Sequence, residues 1–384
     1  MSEASFESIG IDIPRPSRRQ LIIRLAWLAV GLIASVGIAV SGTIRPVLSH
    51  EDMSDHRFYR HVADRVVAGE DYYDVACVEL LTHGFPPSSA FNWRTPLYAY
   101  MLGWLREPAW AQAALALLAV MTAAIVVAMI TRELGPIAGQ VAGCAVLGAS
   151  AWWLDPEPPC FTEIWAGQLI LLAIAARSLG LTWLGFVAGS LALFLRELVL
   201  PFIGLCLVDA SVRRKWPEVV AWVTCLLVYG VHLLWHFGQV ARQLPGLSVS
   251  KSAGGMGWVA WGGARFVLAT VRMNYGLASL PAWCAAIYLP LAVFGLIMLG
   301  NRIERSRWSL IGMSGYLMGF AVVGKPFNDY WGWITCPVLA LGFATSPFFL
   351  TPMIRTLVLK EPPIQEIAAR QQVEIPAAST KIIP

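Results

Sequence analysis

From Ala109 to Thr131 the chain reads A-W-A-Q-A-A-L-A-L-L-A-V-M-T-A-A-I-V-V-A-M-I-T, without one charged side chain. A helix needs about 20 such residues to cross the ~30 Å hydrocarbon core of a bilayer. Windows of the same kind recur along the sequence, over residues 21–42, 109–131, 136–153, 163–178, 181–195, 198–211, 217–236, 280–300, 308–324 and 331–350. Apolar residues make up 57% of the chain and charged residues 14%, where a soluble domain carries roughly 25% charged. The ~10-residue alternating segments of a membrane barrel are absent. The expectation is an all-α polytopic membrane protein with about ten transmembrane helices. Residues 1–350 form its single domain and 351–384 a tail, Pro- and Gln-rich and disordered in composition beyond about residue 365. The windows at 163–178, 181–195 and 198–211 are short, and read equally as tilted, re-entrant or merged helices.

The apolar run from Leu21 to Val40 follows Arg15, Arg18 and Arg19. It exceeds the 7–15 residues of a signal-peptide core, so it reads as an uncleaved first helix. With the N-terminus inside, the cytoplasmic loops hold Arg132, Arg177, Arg213-Arg214-Lys215, and Arg302, Arg305 and Arg307. The tail holds Arg355, Lys360 and Arg370, so both termini are cytoplasmic by the positive-inside rule. No N-x-S/T sequon hints at a lumenal face, and a bacterial inner (plasma) membrane is the simpler expectation. A net charge of +4 fits such loops and gives no nucleic-acid surface. The seven cysteines have no metal-ligand spacing. Cys77 and Cys160 both fall in outer loops, which leaves a disulfide open.

Charge gathers in the first outer loop, residues 43–108. Glu51, Asp52, Asp55, Asp64, Glu70, Asp71, Asp74 and Glu79 lie there, out of 24 Asp and Glu in the chain. Read as a helix, Asp55–Ala68 puts Phe58, Tyr59, Val62, Ala63, Val66 and Val67 on one face. Arg57, Arg60, His61, Asp64 and Arg65 take the other, and Gly69 suits the C-terminal cap. Such a helix is expected to lie in the membrane interface, apolar face down. Asp55 opens it, where the helix dipole favours a negative charge. Asp71 and Asp74 are expected to terminate it or to bind a cation.

The pattern Asp55, Arg57, Tyr59 and Gly69 resembles the first outer loop of the polyprenyl-phosphate-dependent glycosyltransferases of the C type (GT-C). Lipid A aminoarabinose transferases and protein O-mannosyltransferases belong to this superfamily. R-T-P-L-Y (Arg94 to Tyr98) is similar to the element that follows in those families, although Thr95 stands where a second Pro is usual. A-G-Q-L-I (Ala166 to Ile170) resembles the start of a mannosyltransferase helix, with Ile170 in place of Asn. N-D-Y-W-G-W-I-T-C-P-V-L-A-L (Asn328 to Leu341) resembles the superfamily's last loop and helix.

The resemblance implies a GT-C-like fold with interfacial helices in the first outer loop. It implies a polyprenyl-phosphate-linked sugar donor and an acceptor on a lipid, glycan or protein. Transfer inverts the anomeric centre, and a first-loop Asp is the general base. Asp55 is the first candidate for that base and Asp52 the alternative. The chemistry agrees: hydroxyl attack needs a carboxylate within hydrogen-bond reach, and a leaving lipid phosphate needs cations. Candidate phosphate or substrate contacts are Arg94, Arg196, Glu197, Lys325, Tyr59 and Glu163. Four of them have a second reading: Arg94 as a snorkelling interfacial arginine, Arg196 and Glu197 as an exposed turn, and Lys325 as an interface anchor. Trp93, Trp331 and Trp333 are candidates to stack on a sugar. His232 and His236 share a helix face, as satisfied histidines or a metal pair. No metal ligands are assigned and no cofactor is certain, although a divalent cation stays open because the families differ in requiring one. The rival readings are a secondary transporter or lipid flippase, and a non-catalytic GT-C homologue.

Overall fold

The computed structural model describes residues 17–41, 54–85, 87, 90–244, 261–324 and 326–358. Asp52, Lys325, most of the Gly/Ser-rich stretch at 244–257 and the tail beyond Val358 lie outside them. In chain order the helices are α1 Arg18–Val40, α2 Ser54–Val67, α3 Tyr72–Thr82, α4 Pro96–Trp104, α5 Pro108–Leu134, α6 Pro136–Ala149, α7 Thr162–Leu179 and α8 Thr182–Leu195. There follow α9 Leu200–Val212, α10 Trp216–Gln243, α11 Gly263–Val271, the one-turn α12 Tyr275–Ala278, α13 Ala282–Arg302, α14 Arg307–Val323 and α15 Gly332–Val358. No strand occurs among the described residues.

Each of the ten apolar windows is a helix, but they are not equal. Six are long and apolar enough to cross a membrane: α1, α5, α7, α10, α13 and α15 with its lead-in from Asn328. The others are shorter: α6 and α8 have 14 residues, α9 has 13 and α14 has 17. At 1.5 Å per residue they reach about 20–26 Å, short of a ~30 Å core. Apolar sequence marks them as buried in lipid or protein without saying which. The last helix also runs past residue 350, so the tail begins later than the hydropathy suggests.

The bundle is centred on α7. Its span is the least hydropathic of the six, at 1.2, yet 94% of it is buried, against 17% for α1. A helix surrounded by protein needs no lipid-facing Leu or Ile, and α7 carries Ala and Gly at its crowded contacts. A Cβ on Gly167 would overlap the Trp333 backbone of α15, and Gly295 of α13 meets Gly342 of α15 backbone to backbone. By contrast α10 leaves Leu227, Val231 and Leu234 exposed. That apolar stripe suits a lipid surround.

One end of α7 is fastened by a buried arginine. Arg177 Nε donates to Glu218 Oε1 at 2.8 Å, Nη1 to Ser309 Oγ at 3.1 Å, and Nη2 to the Cys206 carbonyl at 3.3 Å. Asp209 Oδ2 lies 3.5 Å from Nη1. Asp209 also accepts from the Trp308 and Ser309 backbone amides at 2.8 and 3.0 Å, which caps the N-terminus of α14. Four helices (α7, α9, α10 and α14) thus meet on one guanidinium. The positive-inside reading of Arg177 as a loop cation is corrected here: the side chain is 1% exposed. Arg213, Lys215 and Arg305 do lie at this end, lining a cavity of about 600 Å³ with Trp183 and Phe186.

α11 has no counterpart in the hydropathy reading. Its nine residues are too few to span, and Phe266 to Val271 are buried against the bundle.

Candidate functional site

At the other end of α7 the first loop folds over the bundle. α2 forms as its periodicity requires: Phe58, Tyr59, Val62, Ala63 and Val66 are buried, while His61 and Asp64 are exposed. Gly69 ends it with φ +99°, the left-handed cap glycine permits. The apolar face does not lie on lipid, however. It packs on α3 and α4, and a Cβ on Gly103 of α4 would overlap Val67 and stand 2.9 Å from the Ala63 carbonyl. Tyr59 meets the rings of Tyr98 and Phe161 edge-on at 5.9 and 5.8 Å. Aromatic partners on α4 and before α7 thus replace the expected membrane surface.

Asp71 does not terminate α2. It caps α3, accepting from the Tyr73 and Asp74 amides at 2.8 and 3.2 Å. Asp74 accepts from Gln243 at 2.7 Å. Tyr73 shares a hydrogen bond with His236 Nδ1 at 2.9 Å, which tethers α3 to α10 and makes His236 a satisfied histidine. Cys77 and Cys160 are separate buried thiols.

Arg94 occupies the turn between α3 and α4 with φ +59°, a conformation uncommon outside glycine. Its neighbours hold that turn. The Tyr72 hydroxyl donates to the Trp93 carbonyl. Thr95 Oγ1 donates to the Phe194 carbonyl at 3.1 Å, which ties the turn to the end of α8. A proline at position 95 would lack that hydroxyl. The guanidinium therefore points into the protein, against the snorkelling reading. Its Nε donates to the Tyr59 hydroxyl at 3.1 Å, Nη1 to the Phe91 carbonyl at 2.9 Å, and Nη2 to the Tyr330 hydroxyl at 3.5 Å. Burial works against the charge on Arg94, but the Tyr59 and Tyr330 oxygens with Glu163 and Glu197 overcome it and hold its pKa above the ordinary value. Burial likewise pushes the Tyr59 hydroxyl well up, so it stays protonated.

Behind Arg94 lies a second arginine. α8 ends at Leu195, and Arg196 takes an extended conformation before α9 begins. Arg196 and Glu197 do not make an exposed turn: the Arg196 side chain is 1% exposed. Its Nη1 reaches Glu197 Oε1 at 2.5 Å, and its Nε lies 2.8 Å from Glu163 Oε1 on the first turn of α7. The latter contact has ion-pair distance but misses hydrogen-bond alignment, so both atoms lack a hydrogen bond. Arg94 Nη1 stands 3.8 Å from Glu197 Oε1. The four charged groups balance as two cations and two carboxylates. Asp55 lies within electrostatic reach of the Tyr59 and Tyr330 hydroxyls.

Of the candidates from sequence, Tyr59, Glu163, Arg94, Arg196 and Glu197 thus form one contiguous cluster with Asp55 at its edge. Tyr330 joins them unassigned, although it is the Tyr of the Asn328–Leu341 motif. The three tryptophans do not offer a stacking surface. Trp93, Trp331 and Trp333 are 0%, 2% and 1% exposed. Trp333 packs on Phe161 and Tyr330 with its indole N–H unpartnered. Two cavities among the described residues lie elsewhere, one at the Arg177 end and one of about 420 Å³ between α6, α12, α13 and α15. No family model, no curated protein and no solved structure matches this chain.

Proposed function

We propose that the protein is an integral membrane glycosyltransferase of the C type, with about ten membrane-embedded helices and its active site on the extracytoplasmic side of a cell inner membrane. A sugar passes from a polyprenyl-phosphate donor to a hydroxyl acceptor with inversion. Asp55 takes the acceptor's proton, and the arginines hold the phosphate that leaves. One observation carries this reading: Arg94, Arg196, Glu163, Glu197, Tyr59 and Tyr330, from five separate stretches of sequence, converge beneath the helix that Asp55 opens.

The geometry ranks the two arginines. Arg196 is engaged by a carboxylate on each side, at 2.5 and 2.8 Å. Arg94 meets its nearest carboxylate at 3.8 Å and otherwise bonds neutral oxygens. Arg94 is therefore the fork that a phosphate engages with least exchange of partners. Arg196 positions Glu163 and Glu197 behind it. The apolar run Leu169–Ala176 separates the clusters at the two ends of α7, whereas a transporter places polar groups near mid-depth.

The test supplies membranes containing the protein with labelled polyprenyl-phosphate sugars. Asp55→Asn is expected to lower transfer by about 10²–10⁴-fold, the usual contribution of a general base, while the protein inserts normally. Full transfer by Asp55→Asn would remove Asp55 as the base. Failure of the wild type to consume any such donor would sink the glycosyltransferase reading itself.

A further inference from the structure

On the far side of α2 from Arg94 lies a second group of side chains that the transfer reading does not use. Tyr59 and His61 are two residues apart, so they point to opposite sides of the helix. His61, Glu79 and His83 each bring one ligating atom to within 4.8 Å of the other two. His61 Nδ1 and His83 Nδ1 both stand 3.6 Å from the same oxygen, Glu79 Oε2. That separation is too long for a hydrogen bond. It lies within a few tenths of an ångström of the ~3.4 Å edge of a tetrahedron with the 2.0–2.1 Å bonds of zinc to nitrogen and oxygen.

The surroundings favour a site over a chance grouping. The other Glu79 oxygen, Oε1, accepts from Arg65 Nη1 at 3.1 Å. This contact fixes the carboxylate and leaves Oε2 facing the two imidazoles, as outer partners of metal ligands do. Arg65 is itself held by Glu70, at 3.0 Å from Nε to Oε1. The His83 ring sits between Phe58 and Phe85, at centroid distances of 5.9 and 6.5 Å. His83 Nδ1 also lies 3.0 Å from the Glu79 carbonyl, a contact that a bound ion would replace. Glu79 is buried and His61 exposed, so the site opens to solution on one side.

We propose that His61, Glu79 and His83 form a binding site for a zinc-class divalent cation, with two imidazoles, one carboxylate and an open fourth position. The ion would clamp α2 to the end of α3, and so hold in place the helix that carries Tyr59. Binding releases any protons carried by the imidazoles and changes no oxidation state. The proposal does not depend on the transfer reading, and its test needs no sugar.

The experiment uses the full-length untagged chain in detergent, stripped with a chelator and exposed to zinc chloride alone. Bound metal is counted by elemental mass spectrometry after desalting, and hydrogen exchange of the α2 amides is followed with and without zinc. One equivalent is expected to be retained, with at least tenfold weaker binding in His61→Ala and His83→Ala and slower exchange in α2 only in the wild type. His61 is exposed, so His61→Ala tests the site without disturbing the fold. Retention below a tenth of an equivalent, or wild-type retention by His61→Ala, would overturn the proposal. Zinc bound with no change in α2 exchange would overturn the clamp.

Discussion

The two ends of α7 each bury an arginine among carboxylates, and they are built differently. At Arg177 all three guanidinium nitrogens have hydrogen-bond partners, and Asp209 caps α14 as it balances the charge. At Arg196 the contact to Glu163 is close but misaligned, and the neighbouring Arg94 leans on phenols and a carbonyl, with its carboxylate at 3.8 Å. A satisfied network fixes one arrangement of the helices around it, while a loosely satisfied one can exchange partners. The difference separates an ion cluster that ties four helices together from the one that we propose meets the donor phosphate.

The most damaging way to probe this contrast is Arg177→Met. It leaves Asp209 buried without its cation and Glu218 with only Arg213, 3.4 Å away, so a loss of about 3–5 kcal/mol in stability is expected, read from thermal unfolding in detergent. A loss below about 1 kcal/mol would mean that the Arg177 cluster is not structural. Arg94→Lys keeps the charge and loses the planar fork. Transfer from a lipid-phosphate sugar should fall roughly 10–100-fold, or about 1.4–2.7 kcal/mol, with the unfolding temperature nearly unchanged. An equal loss of stability would erase the distinction between the two ends. The smallest effect is expected from Thr95→Val, which removes the hydroxyl bonded to the Phe194 carbonyl. It should cost about 1 kcal/mol and speed hydrogen exchange in the first turn of α4. Unaltered exchange would show that Thr95 does not tether the Arg94 turn.

Much of the helix plan is legible in hydropathy, because burying an unpaired backbone in an apolar setting forces helix wherever apolar sequence runs on. The apolar face of α2 is legible for the same kind of reason, from its 3.6-residue period. What covers that face is not. Lipid and a neighbouring helix select the same side chains, so nothing local in Phe58 or Val62 distinguishes Tyr98 and Phe161 from a membrane surface. The roles of Arg177 and Arg196 lie further out of reach. Both stand near helix ends, and their partners come from elsewhere: Ser309 is 132 residues from Arg177 in sequence. The loop-cation rule reads Arg177 by position alone and so misplaces it. Tyr330 was signalled by its motif, but only its bond to Arg94, 236 residues away, gives it a role. The His61–Glu79–His83 grouping escapes spacing rules because His61 lies on α2, while Glu79 near the end of α3 and His83 just past it reach His61 only through the turn between the two helices.

The crowding of partners on Arg177 has a consequence for how the chain is made. Asp209 follows Arg177 by 32 residues and Glu218 by 41. At about 5–20 residues per second of synthesis, α7 waits roughly 2–8 s at the translocon before its counter-charges emerge. During that interval its mean hydropathy of 1.2 must carry an unpaired arginine, a penalty of about 2.5–3.5 kcal/mol at a helix centre and less near an end. Nascent chains arrested before Asp209 are therefore expected to hold α7 in the bilayer poorly, and chains arrested beyond Glu218 to hold it firmly. Equal insertion at both lengths would mean that α7 enters without its partners. The same arginine that locks the finished bundle makes its central helix dependent on what is translated next.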